Sequence, residues 1–231
     1  MSFTFTYNGI NSEAMGVKVH TRPSIPPAAE VVEEYDIPNA GKHYYHTGRV
    51  EDIQIPVQCS FVAELNAFQE TAREVSAWLS GGTDHKLIFS DDNDWFYRVK
   101  KVTGGDSFQR SLKVAAIFTI TFVCEGFAYA RDGERPSTSF TNYYETSKPL
   151  YSLTGNAAGS LTINGKSFAV NVNQNLFIDT ERMIAYRSNG DLVNSSITGD
   201  YEDMWLPHGE NSISVSDGLT LSVYPRWRRR T

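Results

Sequence analysis

Almost every apolar segment of this 231-residue chain alternates with period two, and one stretch departs from that rhythm. In ELNAFQETAREVSAWLSGG, residues 64–82, Leu65, Phe68, Ala72, Val75 and Leu79 recur at spacings of three and four. Glu64, Glu70, Arg73 and Glu74 fall between them, so a helix over about 64–80 carries one apolar stripe and packs on a sheet or a neighbour. Gly81-Gly82 supplies a left-handed stop. A single helix among strands predicts a mainly β, α+β chain.

The strands before the helix alternate from Phe3 through Phe5 to Tyr7 and turn at Asn8-Gly9. Met15–Val19 forms a second short strand before RPSIPPA, whose prolines forbid regular pairing. An extended arm over about 31–50 follows, with its turn at Pro38-Asn39-Ala40-Gly41 and a long returning strand from Arg49 to Val62. After the helix come KLIFSDD, WFYRVKKV, a Gly-Gly loop and LKVAAIFTITFVCEGFAYA. The first domain therefore covers 1–130. The charged, Pro- and Ser-containing stretch that follows reads as a linker over 131–148. From 149 to 231 the chain is short strands and turns, which predicts a sandwich or jelly roll.

Net charge is −6, and the chain has the aromatic-rich composition of a globular protein rather than a disordered or disulfide-stapled one. No secretion signal opens the sequence. The longest apolar run, Val114–Val123, is broken by threonines and is about half the length of a membrane span, so no membrane insertion is expected. Cys59 and Cys124 sit inside strands and read as buried thiols, whose pairing the sequence leaves open.

Fragments that resemble chemistry are outweighed by plainer readings. SLTINGKSF ends like a phosphate loop, but Ser160 stands where a glycine is required, and Asn164-Gly165 between alternating runs is a hairpin signal. Asp91, Asp92 and Asp94 are turn formers. His43 and His46 lie three apart on an extended strand, which sends them to opposite faces. No nucleophile elbow, dinucleotide fingerprint or zinc motif occurs, and the expectation is no enzyme, no cofactor and no metal. Asp179, Glu181 and Glu202 could converge as a glycosidase pair, which keeps a wall hydrolase as the remotest reading. Tyr143, Tyr144, Tyr151, Tyr186, Tyr201, Trp205 and Trp227 could stack on sugars, although core and rim packing accounts for most aromatics in sandwiches.

Four blocks carry a family resemblance: FTYNGINSEAMGVKV; AWLSGGTDHKLIFSDDNDWFYRVKKV with FTITFVCEGFAYAR; LFIDTERMIAY with GDYEDMWLPHGENSISV; and YPRWRRR. Together they resemble the distal tail proteins (Dit family) of long-tailed phages, in order and over nearly the whole chain. The resemblance implies a ring-forming, split-barrel-like β domain followed by a galectin-like jelly-roll sandwich. It implies a homo-oligomer, commonly a hexamer, that joins the tail tube protein to tail-tip, baseplate or receptor-binding proteins. DNA would pass the lumen without specific binding, and the protein would reside in the virion tail tip after assembly in the bacterial host cytoplasm.

Ring contacts are head-to-tail and need two complementary faces. The candidates are Val31, Glu33, Tyr35, Tyr44 and Tyr45 on the arm and Glu70, Glu74 and Trp78 on the helix. Tyr201, Trp205 and Arg228 are the candidates for contact with sugar or a partner, under the alternative of a carbohydrate-binding adhesion module.

The last six residues hold four arginines around Trp227, the composition of a nucleic-acid arm. From Glu134 onward, however, nine basic residues face ten acidic ones, and without those arginines the count is five against ten. Leu219, Leu221 and Val223 alternate inward, and Pro225 and Trp227 continue that face. The segment therefore reads as the end of a strand with Trp227 as a plug. Its arginines would pair with the domain's own acids or with a neighbouring tail protein.

Overall fold

A computed structural model of the chain describes residues 3–64, 66–104, 108–112 and 114–231. Leu65 of the helical stripe and Gly105 of the Gly-Gly loop lie outside the described residues. The chain divides into two units, Met1–Ala128 with Arg230–Thr231, and Tyr129–Arg229.

The first unit contains β1 (Phe5–Tyr7), β2 (Ile10–Asn11), β3 (Val17–Val19), β4 (Glu30–Ile37), β5 (Gly41–Val50), β6 (Ile53–Val62), α1 (Phe68–Ser80), β7 (Lys86–Phe89), β8 (Trp95–Thr103), β9 (Gln109–Leu112) and β10 (Ala115–Ala130). Its main sheet runs β2-β1-β7-β8-β10-β6-β3, with β9 paired to β10. β6 and β10 form its long antiparallel ladder, with Val57 opposite Ile120 and Ile55 opposite Phe122. Alternate residues of both strands are buried, and α1 lays Phe68, Ala72, Val75, Trp78 and Leu79 into the same core. Each large apolar side chain among them contributes about 1.5–3 kcal/mol by leaving water. The mainly β, one-helix class read from sequence is what the structure has.

Two boundaries differ from the sequence reading. The helix begins at Phe68 rather than Glu64, and its left-handed residue is Gly82 at φ +92°. The expected returning strand Arg49–Val62 is two strands, because Glu51-Asp52 interrupts it: β5 pairs only with β4, whereas β6 enters the main sheet. At the break the Glu51 N–H donates to the Ala29 carbonyl at 2.8 Å, and Lys100 pairs with Asp52 at 2.7 Å.

Cys59 and Cys124 are buried, free thiols. Cys59 faces Phe118 and Cys124 faces Ile53 across the ladder, which puts about 20 Å between them at strand rise, beyond disulfide reach. Burial pushes both thiols up to about 12.

The second unit is built on β11 (Leu150–Ile163), β12 (Lys166–Asp179), β13 (Ile184–Tyr186), β14 (Ile213–Val215) and β15 (Leu219–Tyr224), with β16 (Arg228–Arg230) at the end of the chain. The sheet order is β13-β12-β11-β14, and β15 also pairs with β11. Asn164-Gly165, at φ +49° and +80°, is the tight turn between β11 and β12. Tyr151, Leu153, Leu161, Val170, Leu176 and Ile178 line the buried face. Across it lies the irregular 197–206 stretch, whose Ile197, Met204 and Leu206 are buried and whose Met204 carbonyl accepts the Tyr151 hydroxyl at 2.7 Å.

The segment expected as a linker, 131–148, is part of this unit. Ser137, Asn142, Glu145 and Ser147 form single bridges to Val223, Gly209, Arg228 and Leu206, and Asn142 and Ser147 are buried. β11 is also one strand where the glycines of LYSLTGN and GSLTING predict two. A Cβ at Gly155 would meet the Gly218 carbonyl, and one at Gly159 the Ser216 hydroxyl, so these glycines admit the 216–219 loop rather than turning the chain.

Candidate functional site

The arm is a free-standing hairpin. Among the described residues β4 and β5 pair with each other and with no third strand, with Glu33 opposite Tyr45, Glu34 opposite Tyr44 and Tyr35 opposite His43. Asn39 and Gly41, at φ +67° and +82°, turn the chain, and Gly48 at +68° lies where the register slips. At strand rise β4 alone spans about 27 Å. At its root Ala28 is buried and Val50 packs against the core of the first unit.

Beyond the root neither face is covered. Glu33, Tyr35, Ile37, His43 and Tyr45 share one face; Val32, Glu34, Asp36, Lys42, Tyr44 and His46 share the other. Tyr35, Tyr44 and Tyr45 are 52%, 60% and 61% exposed, which places tyrosine on both faces. The Tyr35 hydroxyl donates to the Glu33 carboxylate, which raises the tyrosine's pKa. Lys42 pairs with Glu34, and His46 Nδ1 lies 3.2 Å from Glu30. Val31 is half-buried near the root, where its carbonyl accepts the Thr47 hydroxyl at 2.7 Å.

The helix presents Glu70, Arg73 and Glu74 to solvent. Trp78, expected at an interface, is instead core. Its Nε1–H donates to the Tyr7 carbonyl at 3.0 Å, and its ring stacks on Phe5 at 5.6 Å. The helical period had the signal, since Trp78 lies three residues beyond the buried Val75.

In the second unit the proposed contact residues each meet the unit's own groups. Tyr201 is half-buried in a short 3₁₀ turn, 3.4 Å from Asn194 Oδ1. Trp205 Nε1–H donates to the Thr180 carbonyl at 3.2 Å, and Lys148 Nζ covers its ring at 4.5 Å. Arg228 Nε donates to the Thr146 carbonyl at 2.9 Å. Tyr151 and Trp227 are buried, and Tyr186 stacks on Phe177. The alternation through Leu219, Val223, Pro225 and Trp227 is inward, as the sequence reading has it.

Arg226 is not the outward residue that this alternation predicts. At φ +52° it turns its guanidinium back to grip both oxygens of Asp179 at 2.8 and 3.1 Å, with Glu181 at 3.4 Å. Burial alone would raise the Asp179 pKa; the Arg226 hydrogen bonds and charge, with the N–H groups of Arg182 and Glu181, hold it below its ordinary value. The guanidinium thus ties Asp179 and Glu181 together, while Glu202 lies on the 3₁₀ turn Tyr201–Met204. No spacing signal announces the pair, because its partners are 47 residues apart. Among the described residues no group of three or more His, Cys, Asp or Glu is placed to hold a metal, and no helix is long and apolar enough to cross a membrane.

The model of a family described as phage tail protein RIFT-related domain matches residues 4–124, more than half the chain. The chain belongs to this family. Comparison by sequence with curated proteins gives no match. Among solved structures, the Dit (gp 19.1) protein of phage SPP1 is similar at a TM-score of 0.62 and 14% identity over 100% of both chains. That likeness shows a shared fold. The baseplate of phage p2 in its activated conformation also contains a similar chain, at a TM-score of 0.49 and 9% identity, covering 100% of this chain and 98% of the other.

Proposed function

We propose that this phage tail protein is a non-enzymatic hub of the tail tip, a homo-oligomeric ring, hexameric by family resemblance, that joins the tail tube to tail-tip, baseplate or receptor-binding proteins. The SPP1 protein that shares its fold is described as a paradigm of the hub of the adsorption apparatus in phages infecting Gram-positive hosts. The observation that carries the reading is the hairpin Glu30–Val50, with tyrosines exposed on both faces and no third strand. An isolated two-stranded hairpin is marginal in water, and exposed edges invite pairing, so a long one that presents aromatics both ways has the form of an arm for neighbouring subunits.

In this reading Val31, Glu33, Tyr35, Tyr44 and Tyr45 contact one neighbour or two, and Glu70 and Glu74 belong to the complementary face. The second unit is a galectin-like module facing other tail components. DNA passes the lumen without specific binding, and the ring is built in the host cytoplasm before it enters the virion. A negative-stain image of the purified protein tests the ring. Annular particles with a central hole support it; single compact particles at every concentration contradict it.

A further inference from the structure

The outer face of the second unit's sheet breaks a local rule of strand composition. Asparagine is depleted in strands, yet β12 carries Asn171, Asn173 and Asn175 at alternate positions, and Asn156 on β11 lies directly opposite Asn173. Two of the four serve the fold: Asn156 Oδ1 accepts the Gln174 N–H at 2.8 Å, and Asn175 Oδ1 accepts the Ser188 N–H at 2.7 Å. Asn171 and Asn173 are exposed, and among the described residues their amides bond no other side chain. Residues that break local propensity with no compensating contact are where function concentrates.

Asn156, Asn171 and Asn173 line a shallow groove of about 410 Å³ with Ala157, Ala158, Val172 and Arg187. The alternate residues from Ser152 to Thr162 on β11 and from Ser167 to Phe177 on β12 that share this face are all uncharged. Arg187 supplies the groove's charge. Its Nη1 donates to the carbonyls of Asn173 and Asn175 at 2.6 and 3.0 Å, which anchors the guanidinium by one end, and it has no carboxylate partner among the described residues. Tyr186, which precedes it, stacks on Phe177 at 5.3 Å and closes one end of the row.

We infer that this groove binds an anionic polyhydroxyl ligand, a saccharide or polyol bearing phosphate or carboxylate. Free amides match hydroxyls because each offers donor and acceptor together, and the sheet fixes their backbones so that only side-chain rotamers are ordered on binding. An anchored guanidinium with N–H groups to spare is suited to an anion. The site shares no residue with the hairpin and does not include Trp205, and it stands whether or not the chain forms a ring.

The test titrates the full-length protein with glucose 6-phosphate, glucuronate, glucose and inorganic phosphate, followed by amide chemical shifts. One of the two anionic sugars should bind in the millimolar range and move the amides of β11, β12 and Arg187, at least about tenfold tighter than glucose or inorganic phosphate. The N171A/N173A double variant should lose at least about tenfold in affinity with its melting temperature unchanged, since neither amide supports the fold. R187A should abolish the preference for the anion. Absence of shifts with both anionic sugars at tens of millimolar, equal binding of glucose, or full affinity in N171A/N173A would each overturn the assignment.

Discussion

Two long antiparallel hairpins dominate this protein and are stabilised in opposite ways. β11 and β12 pair over 14 residues each, turn at Asn164-Gly165, gain β13, β14 and β15 as neighbours and bury one face around Leu153, Leu161 and Ile178. β4 and β5 turn just as tightly, gain no neighbour and bury nothing beyond their root. The first is held by the unit it belongs to. The second is held beyond its root by cross-strand pairs, each contributing a few tenths of a kcal/mol, and on the proposed ring reading a neighbouring chain supplies the rest.

The contrast can be broken most forcefully on the buried side. Trp227→Ala removes a side chain only 7% exposed and should cost about 3–5 kcal/mol, read as a lower urea midpoint at constant slope. Leu153→Ala, from the fully buried face of β11, should cost about 2–5 kcal/mol in the same assay. The Asp179–Arg226 pair tests the unit through pH. Because the aspartate's folded pKa lies below its ordinary 3.8, its contribution is complete above that value and is lost as pH falls through the folded pKa. Asp179→Asn should destabilise the protein at pH 7 and flatten the acid limb of urea midpoints collected from neutral pH to pH 2. An unchanged acid limb would mean that the pair contributes nothing.

On the exposed side the effects on monomer stability should nearly vanish. Tyr44→Ala or Tyr45→Ala should change unfolding free energy by within about 0.5 kcal/mol while reducing the assembled fraction in sedimentation velocity. The smallest effect is chemical. Cys59 and Cys124 are buried with pKa pushed to about 12, so an aromatic disulfide reagent at pH 8 should find no reactive thiol until the protein unfolds.

Local patterns were legible where one face is wet and one is dry. The stripe from Phe68 to Leu79, the Asn164-Gly165 turn and the inward run ending at Trp227 all read correctly because each obeys a single period. What sequence does not show is long-range pairing. Gly155 and Gly159 look like turns until the 216–219 loop is seen to need their missing Cβ atoms. Arg226 looks outward until its left-handed backbone brings it to Asp179. Trp78 was misplaced for another reason, since a tryptophan beside glutamates suits an interface as well as a core. The hairpin's tyrosines were legible as an arm, whereas the groove of Asn171 and Asn173 appears only when the strands are set side by side.

The central claim is that hairpin Glu30–Val50 is ordered by neighbouring subunits, and amide hydrogen exchange measures it most directly. In dilute monomer its amides should exchange within seconds while those of β11 and β12 stay protected, and on assembly protection should rise across residues 30–50. Exchange in the hairpin that is equally fast in both states would contradict the account.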